Sequence, residues 1–240
     1  MLNVEVAVAK VAKYAVRESG DSVEVVERPR GGLSVIIADG QRSGQSAKAI
    51  SNMAVRKAMS LLAEGVRDGA VMRAAHDYLR TQRRGQVSAE LAIISVDLET
   101  RTLVISRNSQ CPVLLAEGGS WQALNDPAER VGFGEWTRPV IVEKPLAAGQ
   151  TVIAFTDGLA HAGSRRGLAL DPVEAMERLS CGGACTAQEL ADGLLEAALA
   201  MDEGRPGDDT SVVAVCTREL PEFQSLEVRR MLVAFPVPSA

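Results

Sequence analysis

The chain has 240 residues, of which 46% are hydrophobic and 24% charged, and its formal net charge is −5. These proportions predict a folded protein with one large domain or two small ones, and they exclude a disordered chain. The negative charge and the aromatic content of 3% argue against a nucleic-acid-binding protein, which needs a basic surface and stacking side chains. The sequence shows neither a signal peptide nor a membrane-spanning apolar segment, so we expect a cytoplasmic protein with no membrane partner.

In the first third of the chain, alternating apolar residues predict strands, and a helical spacing of apolar residues follows them. Strands are predicted at residues 4–13, 22–28 and 33–38, and the last two flank a Pro-Arg-Gly-Gly turn as an antiparallel hairpin. Two helices are predicted next, at residues 45–64 and 66–84, separated by a glycine that serves as a C-cap.

The remainder of the chain returns to strands joined by hairpins and then adds a second pair of helices. Further strands are predicted at residues 91–96, 102–106, 112–116, 121–124, 140–143, 151–155 and 211–216. Helices are predicted at residues 171–179 and 186–203, and a capping box of Thr186 and Glu189 marks the start of the second. Hairpins interrupted by two helix pairs predict an antiparallel α+β protein and not a doubly wound parallel sheet.

The sequence contains no linker that divides this pattern. We therefore predict one domain at residues 1–217 and a C-terminal extension at residues 218–240. Within the extension, residues 228–237 have the composition of an added edge strand that is interrupted by prolines.

Two common kinds of site are excluded by incomplete motifs. Cys181 and Cys185 have the spacing of half a zinc site, but no second pair or nearby histidine completes it, so we expect reduced thiols. Residues 40–44 lie between a strand and a helix, as a phosphate-binding loop does, but they lack the Gly-Lys-Ser/Thr sequence of a nucleotide-binding loop.

Acidic residues recur at the ends of three strongly apolar strands. The acidic pairs are Asp39-Gly40, Asp157-Gly158 and Asp208-Asp209. If these strand ends converge, cations or protons must neutralise the crowded carboxylates, and oxygen ligands favour Mg²⁺ or Mn²⁺ over zinc. Asp-Gly is also a common turn signal, so spacing alone leaves a turn and a metal site open.

The acidic pairs resemble, with their neighbours, the metal motifs of PPM-type, Mg²⁺/Mn²⁺-dependent serine/threonine protein phosphatases of the SpoIIE-like bacterial branch. The similar segments are Ala38-Asp39-Gly40 followed by Gly44 and Ala47, Phe155-Thr156-Asp157-Gly158-Leu159, Gly207-Asp208-Asp209-Thr210 and the upstream Gly20-Asp21-Ser22. The resemblance covers residues 4 to 217. It implies a four-layer α-β-β-α sandwich with two antiparallel sheets, and two divalent cations, Mn²⁺ or Mg²⁺, at one end of the sheets.

The same resemblance implies roles for individual residues. Asp39 bridges the two ions, and the Gly40 carbonyl binds one of them. Asp157 and Asp208 complete the acidic shell of the first ion, whereas Asp21 faces the second ion directly or through water. The implied catalytic residues are Asp39, Asp157 and Asp208, which support a metal-bridging hydroxide that attacks phosphorus in line without a phosphoenzyme intermediate.

Three further residues near these motifs carry less determined roles. Asp209 is expected to orient its neighbours, because the third motif of the family places the metal ligand at the earlier residue. Arg42 stands where SpoIIE-like members carry a glycine, so we expect a changed backbone or the loss of a positive φ, and its side chain is either a phosphate contact or a solvated loop cation. His161 is either a proton donor to the leaving oxygen or a partly exposed loop residue.

The resemblance implies a phosphatase that acts on phosphoserine or phosphothreonine in a bacterial signalling protein. Typical substrates of this branch are phosphorylated anti-sigma-factor antagonists or stressosome components of the stress response, and the chain is similar to a stressosome feedback phosphatase. One alternative is a catalytically weak, phosphatase-like binding module in a signalling complex. Another is a nucleotide or small-molecule phosphohydrolase.

Overall fold

Ten strands, five α-helices and one short 3-10 helix (Ser164–Arg166) make up the secondary structure of the described residues in this computed structural model, which describes residues 2–181, 185–220 and 228–234. The strands are β1 (Leu2–Val11), β2 (Asp21–Glu27), β3 (Gly32–Gly40), β4 (Ala89–Asp97), β5 (Thr102–Asn108), β6 (Val113–Glu117), β7 (Ser120–Leu124), β8 (Val140–Pro145), β9 (Thr151–Phe155) and β10 (Thr210–Glu219). The helices are α1 (Gly44–Ala63), α2 (Asp68–Arg83), α3 (Asp157–Ala160), α4 (Pro172–Ser180) and α5 (Ala187–Met201).

The strands form two five-stranded sheets within the described residues. The first sheet has the order β1-β10-β9-β6-β7 and the second the order β2-β3-β4-β5-β8. Neighbouring strands are antiparallel in both sheets. This architecture confirms the predicted antiparallel α+β sandwich.

Three hydrophobic clusters separate the molecule into four layers. One cluster fills the space between the sheets, where Val35 and Ile94 of the second sheet meet Val152 and Val213 of the first. A second cluster lies between α1, α2 and the second sheet, and a third lies between α4, α5 and the first sheet. Each sheet is therefore covered on both faces, which explains its nearly continuous apolar strands.

Strand β4 shows how the alternation of side chains builds these layers. Leu91 and Ile93 pack against the helices, whereas Ala92 and Ile94 pack between the sheets. Successive residues of a strand point to opposite faces, so one apolar run supplies two clusters at once.

The ends of the helices agree with the sequence signals in some places and not in others. Helix α5 begins at the predicted capping box, in which Thr186 Oγ1 accepts a hydrogen bond from the Glu189 N–H and the Glu189 carboxylate accepts one from the Thr186 N–H. Helix α3 was not predicted, because Asp157-Gly158 after a strand has the composition of a turn. Among the described residues, no helix is both long and apolar enough to cross a membrane.

The predicted edge strand at residues 228–237 is wrong for its described part. Residues 228–234 belong to no strand, and residues 235–237 lie outside the described residues. Leu232 and Val233 are exposed, so the segment buries no apolar face that would hold it against a sheet. Strand β10 extends to Glu219, two residues beyond the predicted domain boundary.

Candidate metal centre

Three strands of the second sheet bring carboxyl groups side by side at one end of the sandwich. Asp39 on β3 lies opposite Asp21 on β2 and opposite Glu90 on β4 in the antiparallel register. Paired residues of neighbouring strands point to the same face of a sheet, so these three side chains share one face. Asp39 lies on the same face of β3 as Val35 and Ile37, which pack between the sheets. The three acids therefore lie at one end of the central core.

The first sheet delivers further carboxyl groups to the same end. Strand β9 ends at Phe155 and is followed by Asp157, whereas β10 begins at Thr210 and is preceded by Asp208. The two strands are antiparallel neighbours, so the end of β9 lies beside the start of β10. This connectivity places Asp157 near Asp208 although the two residues are distant in sequence.

A cavity of about 280 Å³ lies where the carboxyl groups of the two sheets meet. Asp39, Gly40, Asp157 and Asp208 all line it, so the strand ends converge as the sequence hypothesis required. Its other charged lining residues are Lys13, Arg42, Glu90, Arg130 and Asp209.

The carboxyl group of Asp39 has the strongest electrostatic perturbation in this cavity. Burial raises its pKa to about 9, and the neighbouring charges of Asp21, Asp157, Glu90 and Asp208 add to the effect of burial. Without a cation, the ionised form of Asp39 is thus strongly disfavoured at neutral pH. Binding of a positive charge therefore stabilises the site.

Asp157 titrates under the same influences. Burial raises its pKa, and Glu90 and Asp208 raise it further through like-charge repulsion. The positive charges of His161 and Arg130 act in the opposite direction. The perturbation therefore extends across both sheets, which indicates one shared electrostatic environment.

Asp21 lies beneath the cavity and not in its lining. Its side chain is fully buried, and Oδ2 accepts hydrogen bonds from Thr156 Oγ1 at 2.9 Å and Ser211 Oγ at 2.7 Å. These hydrogen bonds connect the two sheets. Oδ1 is buried without a hydrogen-bond partner among the described residues. The backbone carbonyl of Asp21 accepts hydrogen bonds from the ammonium groups of Lys10 and Lys48, both at 2.6 Å.

Asp209 and His161 differ in their relation to the cavity. The carboxylate of Asp209 accepts hydrogen bonds from the backbone N–H groups of Lys13 at 2.9 Å and Gly20 at 2.8 Å. It thereby connects the segment before β10 to the connection between β1 and β2. His161 follows α3, is exposed and lies outside the lining of the cavity.

The loop between β3 and α1 keeps an unusual backbone at Arg42. The expected loss of a positive φ is wrong, because Arg42 adopts φ +81°. A non-glycine residue in this conformation costs about 1 kcal/mol. At Gly40, a Cβ atom would lie 2.0 Å from the carbonyl oxygen of Ala47, so only glycine allows α1 to approach the end of β3.

Sequence analysis missed Glu90 and Arg130. Glu90 is buried at the start of the apolar strand β4, where its Oε1 accepts a hydrogen bond from Arg130 Nε at 2.9 Å. Its Oε2 accepts a hydrogen bond from Ser109 Oγ at 2.6 Å. An acid inside an apolar strand is a usable signal, but only the register with Asp39 shows that Glu90 faces the site.

The donor set of the cavity fits hard divalent cations better than zinc. The acidic lining residues offer carboxylate oxygens, and Gly40 lines the cavity beside them. The described residues contain no group of three acidic, histidine or cysteine side chains arranged to hold one ion by themselves. Mg²⁺ usually retains several water ligands and binds through one or two carboxylates, so these residues fit such an ion without forming a closed protein shell.

Comparison with known families identifies a match over most of the chain. A model of the family described as stage II sporulation protein E (SpoIIE) matches residues 29–218. A sequence search among curated proteins gives no match.

Three solved structures illustrate the similarity in fold. The SpoIIE PP2C phosphatase domain with a regulatory-domain fragment, from Bacillus subtilis, has a TM-score of 0.75 and 22% identity over 92% of this chain and 65% of that chain. The structure of the RsbU and RsbW domains of Rv1364c from Mycobacterium tuberculosis has a TM-score of 0.71 and 18% identity over 90% of this chain and 61% of that chain. The catalytic domain of the serine/threonine phosphatase PstP, in complex with two manganese ions, has a TM-score of 0.69 and 17% identity over 91% of this chain and 100% of that chain. At these identities, the likeness establishes the PP2C fold, and the chain spans about two thirds of the length of the SpoIIE structure.

Proposed function

Because the chain belongs to the SpoIIE family of PPM-type phosphatase domains, we propose that it hydrolyses phosphoserine or phosphothreonine on a protein in a metal-dependent reaction. The observation that carries this proposal is the convergence of Asp39, Asp157 and Asp208 from two sheets on one cavity. Two of these residues have raised pKa values because burial and neighbouring carboxylates disfavour their charged forms.

Asp39, Asp157, Asp208 and the Gly40 carbonyl are the residues that we assign to hold the divalent cations, Mn²⁺ or Mg²⁺. We assign Asp21 to the second ion, because its Oδ1 atom is buried without a described partner beside Asp39. When bound, the ions supply Lewis acidity, which lowers the pKa of water and offsets the charge of the phosphoryl group.

The protein's own residues prepare this site in two ways. The hydrogen bonds from Thr156 and Ser211 hold one oxygen of Asp21 in place, so the carboxylate is positioned before any ligand arrives. The carboxyl group of Asp39, held neutral in the ion-free site, gives up its proton when positive charge enters. Burial raises the pKa of the Cys111 thiol far above its usual range, which argues against a thiolate nucleophile at this end of the molecule.

The substrate we propose is a phosphorylated signalling protein in the cytoplasm, either an anti-sigma-factor antagonist or a stressosome component. The support is the similarity in fold to a structure that contains an RsbU domain. Of the two roles that the sequence left open for His161, we favour the exposed loop residue over the proton donor, because its side chain lies outside the cavity lining.

The experiment is phosphate release from p-nitrophenyl phosphate and from phosphoserine peptides, with and without Mn²⁺. We expect Mn²⁺-dependent turnover that is lost in Asp39→Asn and Asp157→Asn and retained in Asp192→Asn, which changes an exposed carboxylate on α5. A folded wild-type protein with neither Mn²⁺ binding nor turnover would support the binding-module alternative. Preference for nucleotides over phosphopeptides would support the small-molecule phosphohydrolase.

A further inference from the structure

One arginine in the metal cavity is held in a fixed orientation by a buried carboxylate. The Nε and Nη2 atoms of Arg130 lie 2.9 Å and 2.8 Å from Glu90 Oε1. The Glu90 side chain is 6% exposed and the Arg130 side chain 36% exposed. The anchoring partner is thus buried, while the guanidinium reaches the open space of the cavity.

The loop that carries Arg130 is fixed on both sides of this residue. Val131 and Ala89 exchange two backbone hydrogen bonds, at 3.0 Å and 2.9 Å. Before Arg130, the carbonyl of Glu129 accepts a hydrogen bond from Asn108 Nδ2 at 2.7 Å. After it, the buried His76 Nδ1 accepts a hydrogen bond from the Gly132 N–H at 3.2 Å. These three attachments set the position of Arg130 before any ligand binds, which lowers the entropic cost of a contact made there.

The guanidinium still has donors to offer. Its contacts within the described residues use Nε and Nη2 on the side that faces Glu90. A guanidinium carries five N–H donors in one plane and suits the oxygens of a phosphoryl group. Nη1 is therefore available to a ligand in the cavity while Glu90 keeps its hold on the opposite side.

The other two basic residues of the cavity are less well arranged for this task. The Lys13 ammonium lies 3.6 Å from Asp208 Oδ1, so it is paired with a carboxylate assigned to the metal. The Arg42 side chain is exposed and forms no ion pair with a carboxylate among the described residues. Arg130 is the one of the three with a buried anchor.

We propose that Arg130 binds the non-bridging oxygens of the phosphoryl group and that Glu90 is a positioning residue that orients the guanidinium. This inference rests on the proposed phosphatase function. It adds a substrate contact from the connection between β7 and β8, which contains none of the metal motifs.

The test compares Arg130→Gln and Arg130→Lys with wild type in Mn²⁺, using a phosphoserine peptide and inorganic phosphate as a product inhibitor. We expect Arg130→Gln to raise KM and the inhibition constant of phosphate about ten- to hundredfold, since it removes charged hydrogen bonds. Arg130→Lys should recover part of this loss, and the Mn²⁺ dissociation constant, measured by calorimetry, should stay within about threefold of wild type. Arg138→Gln, which removes an exposed arginine from the same loop, is the matched control and should change none of these values.

Glu90→Gln tests the positioning role. We expect a smaller rise in the phosphate inhibition constant than in Arg130→Gln. The double variant Arg130→Gln/Glu90→Gln removes the buried charge that Arg130→Gln leaves unpaired, so it separates a folding defect from a binding defect. Weak phosphate binding in a folded double variant supports the inference.

Unchanged KM and phosphate inhibition in folded Arg130→Gln would overturn the inference, as would a change confined to Mn²⁺ affinity. If wild type hydrolyses no phosphoester, the proposed function fails. Calorimetry of inorganic phosphate binding to the Mn²⁺-treated wild type and to Arg130→Gln then still decides whether Arg130 binds the anion. Equal affinities would reject it.

Discussion

The two ends of strand β3 lie in different electrostatic environments. One end carries the carboxyl group of Asp39 beside other carboxyl groups, whereas the hydroxyl group of Ser34 near the other end lies beside a buried ion pair. Asp39, close to the last residue of β3, is surrounded by other carboxyl groups. Ser34, close to the first, accepts a hydrogen bond from Arg28, which also pairs with the buried Asp68 at 3.2 Å. Buried carboxyl groups thus occur in both regions, but Asp68 is paired with an arginine, whereas Asp39 is surrounded by other carboxyl groups.

The contrast separates residues that stabilise the fold from residues that await a ligand. The Arg28 and Asp68 side chains are each 7% exposed, so removal of Arg28 leaves the Asp68 carboxylate buried without a cation. At the cavity, Asp39 forms no ion pair with a described residue, and burial and neighbouring carboxylates disfavour its charged form. The ionised form of Asp39 therefore depends on a bound cation, which is a property of functional sites and not of structural ion pairs.

The largest expected effect comes from Asp39→Asn. We expect kcat to fall by about a thousandfold or more, because metal-ion catalysis contributes several kcal/mol to the barrier. The free energy of unfolding of the ion-free variant should equal or exceed that of wild type, since the change removes a repelled carboxyl group. Phosphate release and urea denaturation in EDTA measure the two quantities. An ion-free variant clearly less stable than wild type would mean that Asp39 stabilises the fold, and the contrast would break.

Asp68→Ala should have the opposite profile. We expect a loss of about 3 kcal/mol in the free energy of unfolding, because the buried Arg28 then keeps only the longer ion pair with the partly exposed Asp97, at 3.8 Å, with kcat unchanged under conditions where the variant is folded. Urea denaturation measures the loss. The matched control is Glu99→Ala, which removes the partner of the exposed Arg30 and should cost less than about 1 kcal/mol. Equal losses in the two variants would contradict the distinction between buried and exposed pairs.

The ion-free protein should become less stable as pH rises from 5 to 8. The pKa of Asp39 is raised from 3.8 to about 9 and that of Asp21 to about 6, in both cases first by burial. The folded state therefore binds more protons than the unfolded state over this range, and the free energy of unfolding falls with rising pH. Thermal denaturation in EDTA tests the slope, and Asp39→Asn should flatten it. A wild-type protein whose stability rises over this range would refute the assignment.

The smallest effect is expected at Arg42. Arg42→Gly should raise the free energy of unfolding by about 0.5 kcal/mol, because relief of the positive φ slightly exceeds the entropy that glycine adds to the unfolded chain. Arg42→Ala keeps the strain and is the control. If both variants leave KM for a phosphopeptide unchanged, Arg42 is a solvated loop cation. A rise of KM in both variants would instead assign it to the substrate.

The sequence predicted the layers of the fold better than the details of the site. Alternation in runs such as residues 91–96 and the capping box at Thr186 are local signals, and both were confirmed. Helix α3 escaped prediction because Asp157-Gly158 is compatible with a turn as well as with a helix start. Its four residues are too few to show a helical period.

The contacts of Glu90 and Arg130 depend on register between strands and loops that are far apart in sequence. No local pattern states that Glu90 faces Asp39, or that residue 131 pairs with residue 89. The acidic motifs could be recognised from their neighbours alone. The position of Asp21 beneath the cavity required the structure, because it depends on Thr156 and Ser211 of the opposite sheet.

The contribution of both sheets to one cavity has a mechanical consequence. Asp39 lies in the second sheet, and Asp157 begins the helix that follows β9 of the first sheet, so an ion held by both would cross-link the two halves of the sandwich. Such a cross-link stabilises only the folded state, and its loss would destabilise the sheets on both sides of the central core. A chelator should therefore loosen both sheets, which hydrogen exchange at β5 and β6 would detect as faster opening.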